Sequence, residues 1–181
     1  MRTTPGSQFA WMSAEYNEKG FYLATRSGNG LTFLDETGSR HFFSPNVSNK
    51  DLGFSALDCL SKSRLISPQV FDDTYDWREA KRQRIEYDRW KMAIGGFKTL
   101  KSMRRYLMVC SICVQDSMIY ITHLHHCAID AWEWPEDRLE TEIEIPHNSA
   151  PAIVGAAVRE GLKKCTGIGR EDLIFPEPLP D

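Results

Sequence analysis

No run of apolar residues in this sequence approaches the roughly 20 that a membrane-spanning helix requires. The N-terminal stretch carries Arg2 but no apolar core of a secretion signal, and Glu15 and Glu18 interrupt it. Short catalytic signatures are missing as well: there is no glycine-rich phosphate loop, no SxxK, no GxSxG and no HExxH. Internal repeats are absent. Cysteine is sparse and odd in number, at Cys59, Cys110, Cys113, Cys127 and Cys165. Four of these fall in segments that read as helix or strand, where a free thiol behaves as a small core residue. That argues against a disulfide-stapled secreted scaffold and for a reduced, cytoplasmic protein.

What remains is ordinary globular material. With 181 residues, 41% of them hydrophobic, and a mean hydropathy of -0.42, residues 1–181 suit a single domain with one substantial core. The net charge of -3 hides a partition. Residues 1–77 hold seven Lys/Arg against nine Asp/Glu, residues 78–105 ten against three, and residues 106–181 five against thirteen. A basic middle and an acidic C-terminal part imply either an internal electrostatic match or two surfaces with different partners.

The chain is organised around the stretch from Leu107 to Ile121. Its apolar run is broken only by Gln115-Asp116-Ser117, which predicts two paired strands. Alternation sends Leu107, Val109 and Cys113 one way and Met108, Cys110, Ile112 and Val114 the other, so the first strand is expected to be central and covered on both faces. Upstream, residues 1–19 lack a clear period. Three short strands follow in a meander: 20–26, 31–34 and 40–44. Ser27-Gly28-Asn29-Gly30 and Asp35-Glu36-Thr37-Gly38 supply the turns.

A first helix is predicted from an Asn49 cap to near Arg64, with Leu52, Ala56, Leu57 and Leu60 inward. A long helix starts at Ser67-Pro68 and ends at Gly95-Gly96, with Trp77, Ala80, Arg84, Tyr87, Lys91 and Ile94 on one face. Thr141 to Ile145 alternates, with Ile143 and Ile145 inward and Glu142 and Glu144 outward. A last helix, capped by Ser149, buries Ile153, Ala156, Ala157 and Leu162. From about residue 168 the chain is a proline-rich tail. The fold class is therefore α+β: a mostly antiparallel sheet, made of the N-terminal meander and the central hairpin, packed with about three main helices.

Four constellations bear on chemistry. His125-His126-Cys127-Ala128-Ile129-Asp130 has HHxxxD spacing and resembles the motif of the chloramphenicol acetyltransferase and condensation-domain superfamily. Ala131 stands where that motif has Gly, so a polar loop leaving a strand is the preferred reading over an acyltransferase. Cys110 and Cys113, with His123, His125 or Cys127, invite zinc, but strand positions three apart point to opposite faces and no metal is expected. The segment Arg78 to Arg105 offers Arg78, Lys81, Arg82 and Arg89 on one helix face for phosphates. A solvated face that also matches the acidic half is the preferred reading, and direct nucleic-acid binding is the alternative. Last, Glu133, Glu136, Asp137, Glu140, Glu142 and Glu144 make an acidic stretch with Trp132 and Trp134 beside it, which suits recognition of a basic protein.

The order of features is itself informative. It runs from Asp51-Leu52-Gly53 through Leu60-x-x-Ser63-Arg64, Tyr87-x-x-Trp90 and Gly96-x-Lys98-Thr99 to Met108-x-Cys110-x-Ile112 and Ile119-x-Ile121. Trp132, Ile145-Pro146 before Ser149, and Ile153-x-Gly155-Ala156-Ala157-Val158-Arg159 with Cys165 complete it. From roughly residue 20 to 166 the chain resembles the immunity proteins of bacterial contact-dependent growth inhibition systems, the CdiI type. Ser117 and His123 stand where members often carry Gly in the hairpin turn and Pro after the second strand. The resemblance implies a cytoplasmic protein, without catalysis or cofactor, that binds the C-terminal toxin domain of its cognate CdiA protein, commonly a nuclease, and blocks it. The toxin-binding residues expected are Trp132, Glu133, Trp134, Glu136, Asp137, Glu140, Glu142 and Glu144.

Overall fold

The computed structural model describes residues 9–67, 77–136 and 141–181. Its first strand, β1 (Ala10–Asn17), lies where the sequence shows no period, and it is central rather than peripheral. One face of β1 is the apolar series Met12, Ala14 and Tyr16; the other is Trp11, Ser13 and Glu15, whose polarity hides the strand from a hydrophobic pattern. β1 pairs antiparallel with β2 (Gly20–Asn29), which in turn pairs with β3 (Leu31–Leu34) and β4 (Arg40–Phe43). The expected meander is therefore a fan: both short strands lie on β2.

Helix α1 (Asn49–Ser61) is capped by Ser48, not Asn49; the Ser48 hydroxyl accepts from the Asp51 amide at 3.0 Å. Asn49 instead takes the Arg159 guanidinium at 3.2 Å. Helix α2 (Trp77–Gly95) ends at Gly95 as expected, while its proposed start at Ser67-Pro68 leads into residues 68–76, outside the described residues. A single turn follows, α3 (Leu100–Arg104), with a Thr99/Ser102 capping box.

The organising hairpin forms as β5 (Met108–Gln115) and β6 (Met118–His123). Its two-residue turn, Asp116-Ser117, has φ of 50° and 65°, the left-handed pair a tight hairpin needs. β5 lies between β1 and β6. Met108, Cys110, Ile112 and Val114 are buried, whereas Val109, Ser111 and Cys113 are half-buried, so only one face is fully covered. Chain continues through β7 (His125–Ala128), β8 (Ala131–Glu133) and β9 (Ile143–Pro146) to helix α4 (Pro151–Lys164) and the short β10 (Thr166–Gly167).

The main sheet has the order β3-β2-β1-β5-β6-β9, with β4 also on β2, and every pair in it is antiparallel. A second, three-stranded sheet has the order β10-β7-β8. Helices α1 and α4 cover the front of the main sheet and enclose the apolar core, which includes Met12, Leu23, Leu52, Ile112, Ile121, Val158 and Leu162. On the back, α2 packs Tyr87 against Ala24 and Leu34. An α+β fold with a mostly antiparallel sheet follows directly.

Helix α4 buries Ala157 and Leu162 as its sequence predicts, but not Ile153 or Ala156. Pro151 opens it behind Ala150, Ser149 makes no cap, and Ile153 is 53% exposed while Val154, Gly155 and Val158 are buried. The cause is a backbone contact with α1. A Cβ on Gly53 would lie 1.7 Å from the Pro151 carbonyl oxygen, and one on Gly155 would lie 1.8 Å from that of Asn49. Glycine is the only residue that admits so close a crossing. Arg159, 4% exposed, ties the pair to the preceding loop by donating to the carbonyls of Val47 at 2.6 Å and Pro45 at 3.2 Å. The proline-rich tail is irregular but anchored. Leu173 is buried, Phe175 stacks on Tyr16 at 4.2 Å, and the Tyr16 hydroxyl donates to the Ile174 carbonyl at 2.6 Å.

Candidate functional site

Strand pairing decides which acidic residues meet. Because Ile143 and Ile145 face the core opposite Ile121 and Ile119, Glu144 is forced onto the back of the sheet opposite Tyr120. Glu144 is exposed there, and Glu142 precedes the strand, half-buried, accepting a hydrogen bond from the buried Thr122 hydroxyl. Tyr120 is the centre of this cluster. Burial pushes its phenol up first, and the carboxylates of Glu144 and Asp116, followed by Glu142, push it further. Tyr120 and Asp116 are additions to the sequence-based set. The signal for Tyr120 was present in Ile119-x-Ile121, since a residue between two inward isoleucines must face outward.

The remaining candidates sit on or beside the smaller sheet. Glu133 ends β8, and Trp134 and Glu136 follow it; all three are exposed, Trp134 at 50%. Trp132 points inward. Its ring stacks on His126 at 4.7 Å and its indole nitrogen donates to the Leu107 carbonyl at 2.9 Å, so it braces β8 against the main sheet. Asp137 and Glu140 lie outside the described residues.

The HHxxxD segment forms β7 and the turn into β8. His126 is 1% exposed and its Nδ1 lies 3.1 Å from the Ile168 carbonyl oxygen. Burial pushes its pKa below the ordinary histidine value, which favours the neutral ring. Asp130 is exposed in the turn, with its carbonyl bound by Arg84 at 2.8 Å. Cys110 and Cys113 occupy opposite faces of β5, and Cys110 Sγ instead lies 3.9 Å from Cys165 Sγ in the core. Among the described residues no three His, Cys, Asp or Glu side chains cluster as metal ligands, and no helix is long and apolar enough to cross a membrane.

The basic segment spends much of its charge internally. Lys91 lies 2.5 Å from Glu15 and 3.2 Å from Asp88, and Arg104 also binds Asp88. Arg82 binds Glu36 at 2.8 Å, Glu86 at 2.9 Å and Glu79. Arg78, Lys81 and Arg89 remain on the exposed side of α2. Helix α2 is thus attached to the sheet largely by charge and aromatic contact, which explains a helix that looks polar all round.

The front-face core, the Gly53/Gly155 crossing and the outward acids can now be set beside known proteins. A structure from Neisseria meningitidis, a protein of unknown function, superposes with a TM-score of 0.80, covering 91% of this chain and 99% of that one at 22% identity. A chain of the CdiA-CT/CdiI toxin and immunity complex from Yersinia pseudotuberculosis superposes with a TM-score of 0.80, covering 88% of this chain and 98% of its own at 25% identity. The immunity protein CdiI-YPIII of Yersinia pseudotuberculosis is 29% identical over 170 residues, 87% of this chain and 96% of its own length. The model of the family "CdiI: CDI immunity protein" matches residues 10–165. The chain belongs to the CdiI family of CDI immunity proteins.

Proposed function

We propose that this protein acts in the cytoplasm as the specific inhibitor of one CdiA C-terminal toxin domain, a nuclease, and that it works by occlusion rather than by catalysis. The observation that carries the reading is the family match across residues 10–165, joined to the fold shared with a chain of a toxin–immunity complex. Inhibition by occlusion needs a complementary surface and no reacting group, and the buried state of His126 is consistent with that. The docking surface is the acidic back of the sheet, with Tyr120 as aromatic anchor among Glu142 and Glu144, extended by Glu133, Trp134 and Glu136; Asp137 and Glu140, outside the described residues, join the proposal on the sequence alone. A basic, nucleic-acid-cleaving toxin is steered to such a surface, and an aromatic group at the centre supplies the buried contact area.

Growth competition tests the whole reading. Cells carrying this chain should survive contact with neighbours that deliver the cognate toxin and should remain sensitive to unrelated toxins of the same delivery type. Loss of viability equal to that of cells lacking the chain would refute it.

A further inference from the structure

A cavity of about 540 Å³ lies between α2, the back of β1 and β2, and β8, away from the acidic cluster around Tyr120. That volume is in the range of small-molecule sites. Its charges do not cancel. Glu15 is held by Lys91 and Asp88 by Arg104, and at the rim Arg84 donates to the Asp130 backbone carbonyl at 2.8 Å. Among the described residues no carboxylate pairs with Arg26: Nε and Nη2 donate to Thr32, to Oγ1 at 3.1 Å and to the carbonyl at 2.6 Å. The acid in its field is Glu15, already bound by Lys91, and burial pushes the Arg26 pKa down.

Two further donors line the same space. The Ser13 hydroxyl, 5% exposed, and the Tyr87 hydroxyl, 2% exposed, have no hydrogen-bond partner among the described residues. Register brings Ser13 close to Arg26: Ser13 faces Ala24 and Trp11 faces Arg26, which makes Ser13 and Arg26 diagonal neighbours on one face of the sheet. Burial and Glu15 push the Tyr87 phenol well up, so it keeps its proton and remains a donor. Apolar walls come from Leu34, Val109 and Trp132. Leaving two hydroxyls in a half-closed space without an acceptor is costly, and the Arg26 hydrogen bonds to the neutral Thr32 do not compensate its charge; an acceptor carrying one negative charge answers all three.

We infer that this cavity binds a small monocarboxylate with an apolar body, its carboxylate between Arg26, Ser13 and Tyr87 and its apolar part against Leu34, Val109 and Trp132. A single charge is specified because Glu15 and Asp88 repel a second. The site is independent of toxin binding and is tested on the purified protein alone. Hexanoate and phenylacetate are titrated by NMR and by thermal shift beside the uncharged hexanamide and phenylacetamide. The carboxylates bind saturably and the amides do not. Ser13→Ala and Tyr87→Phe, which keep packing nearly intact, each loosen binding by roughly tenfold, and Arg26→Gln abolishes it. Equal binding of the amides, no saturable binding by the wild type, or undiminished binding by a folded Arg26→Gln or Tyr87→Phe variant overturns the assignment and leaves a solvent-filled cavity.

Discussion

Lys91 is 3% exposed and Glu15 8%, and they meet at 2.5 Å under α2. A buried pair adds little net stability, but removing one partner strands a charge. Lys91→Met is therefore expected to destabilise by about 3–5 kcal/mol in urea denaturation. The double variant Lys91→Met with Glu15→Leu should recover most of that, because Asp88 keeps Arg104. Equal loss in the single and double variants would mean that packing, not charge, dominates. His126 gives a second residue-scale expectation. Its folded pKa is lowered, so the unfolded chain takes up a proton first as pH falls. Stability linked to His126 is thus present above about pH 6.5 and is lost progressively below it. Comparing urea midpoints at neutral and mildly acidic pH, His126→Phe, which preserves the stack on Trp132, should lose less on acidification than the wild type. Both residues were visible in the sequence as charge and motif. Their partners were not, since Glu15 and Lys91 are 76 positions apart.

Elements were legible where one face is apolar and the other polar. Helix α1 and strand β9 have that pattern and form where expected, and the β5–β6 hairpin forms from an apolar run broken by a short polar turn. β1 escaped because its outer face, Ser13 and Glu15, is buried by pairing with a charged helix rather than by apolar cover. Helix α4 forms where expected and buries Ala157 and Leu162 of its predicted stripe, but Ile153 and Ala156 face outward. The glycines take the places of closest approach: Gly155 against α1, and Gly161 where a Cβ would lie 2.6 Å from the Ile121 side chain. The expected consequence is sharp. Gly155→Ala places a Cβ 1.8 Å from a backbone oxygen that has nowhere to move, and it should cost about 3 kcal/mol, the upper end for an added methyl group. Ala156→Gly on the exposed side should cost about 1 kcal/mol or less. Thermal melts of the two variants rank them, and a Gly155→Ala protein as stable as the wild type would show that α1 and α4 slide freely.

Across the whole molecule, the basic middle forms ion pairs with Glu15 and Glu36 of the N-terminal part and with Glu79, Glu86 and Asp88 of its own. Lys91 fastens α2 to β1 through Glu15, Arg82 ties it to Glu36 in the turn after β3, and Arg104 joins α3 to α2 through Asp88, while Glu133, Glu136 and Glu144 stay exposed. An unmatched acidic field acts chiefly on encounter rate. Reversal of Glu133, Glu136 and Glu144 together to Lys is expected to slow association with the cognate toxin at least tenfold at low salt and to flatten its salt dependence. Tyr120→Ala is expected to act mainly on dissociation and to weaken binding by about 2 kcal/mol or more. Stopped-flow and equilibrium measurements separate the two effects. Unchanged kinetics in the triple variant would move the docking site off the acidic face, with the exposed side of α2 next in line.

The sequence by itself determined the α+β class, the central hairpin and the family, because alternation, turn residues and the order of motifs are local properties carried along the chain. It also set the supply of acids for a recognition surface. Only the tertiary structure decided which acids gather around Tyr120, that Trp132 turns inward, and that Arg26, Ser13 and Tyr87 share one cavity. Those outcomes depend on strand register and on α2 crossing the sheet, and register joins residues tens of positions apart. No local pattern encodes such a meeting; it follows from burying the front face of the sheet, which obliges every alternate side chain to appear on the back.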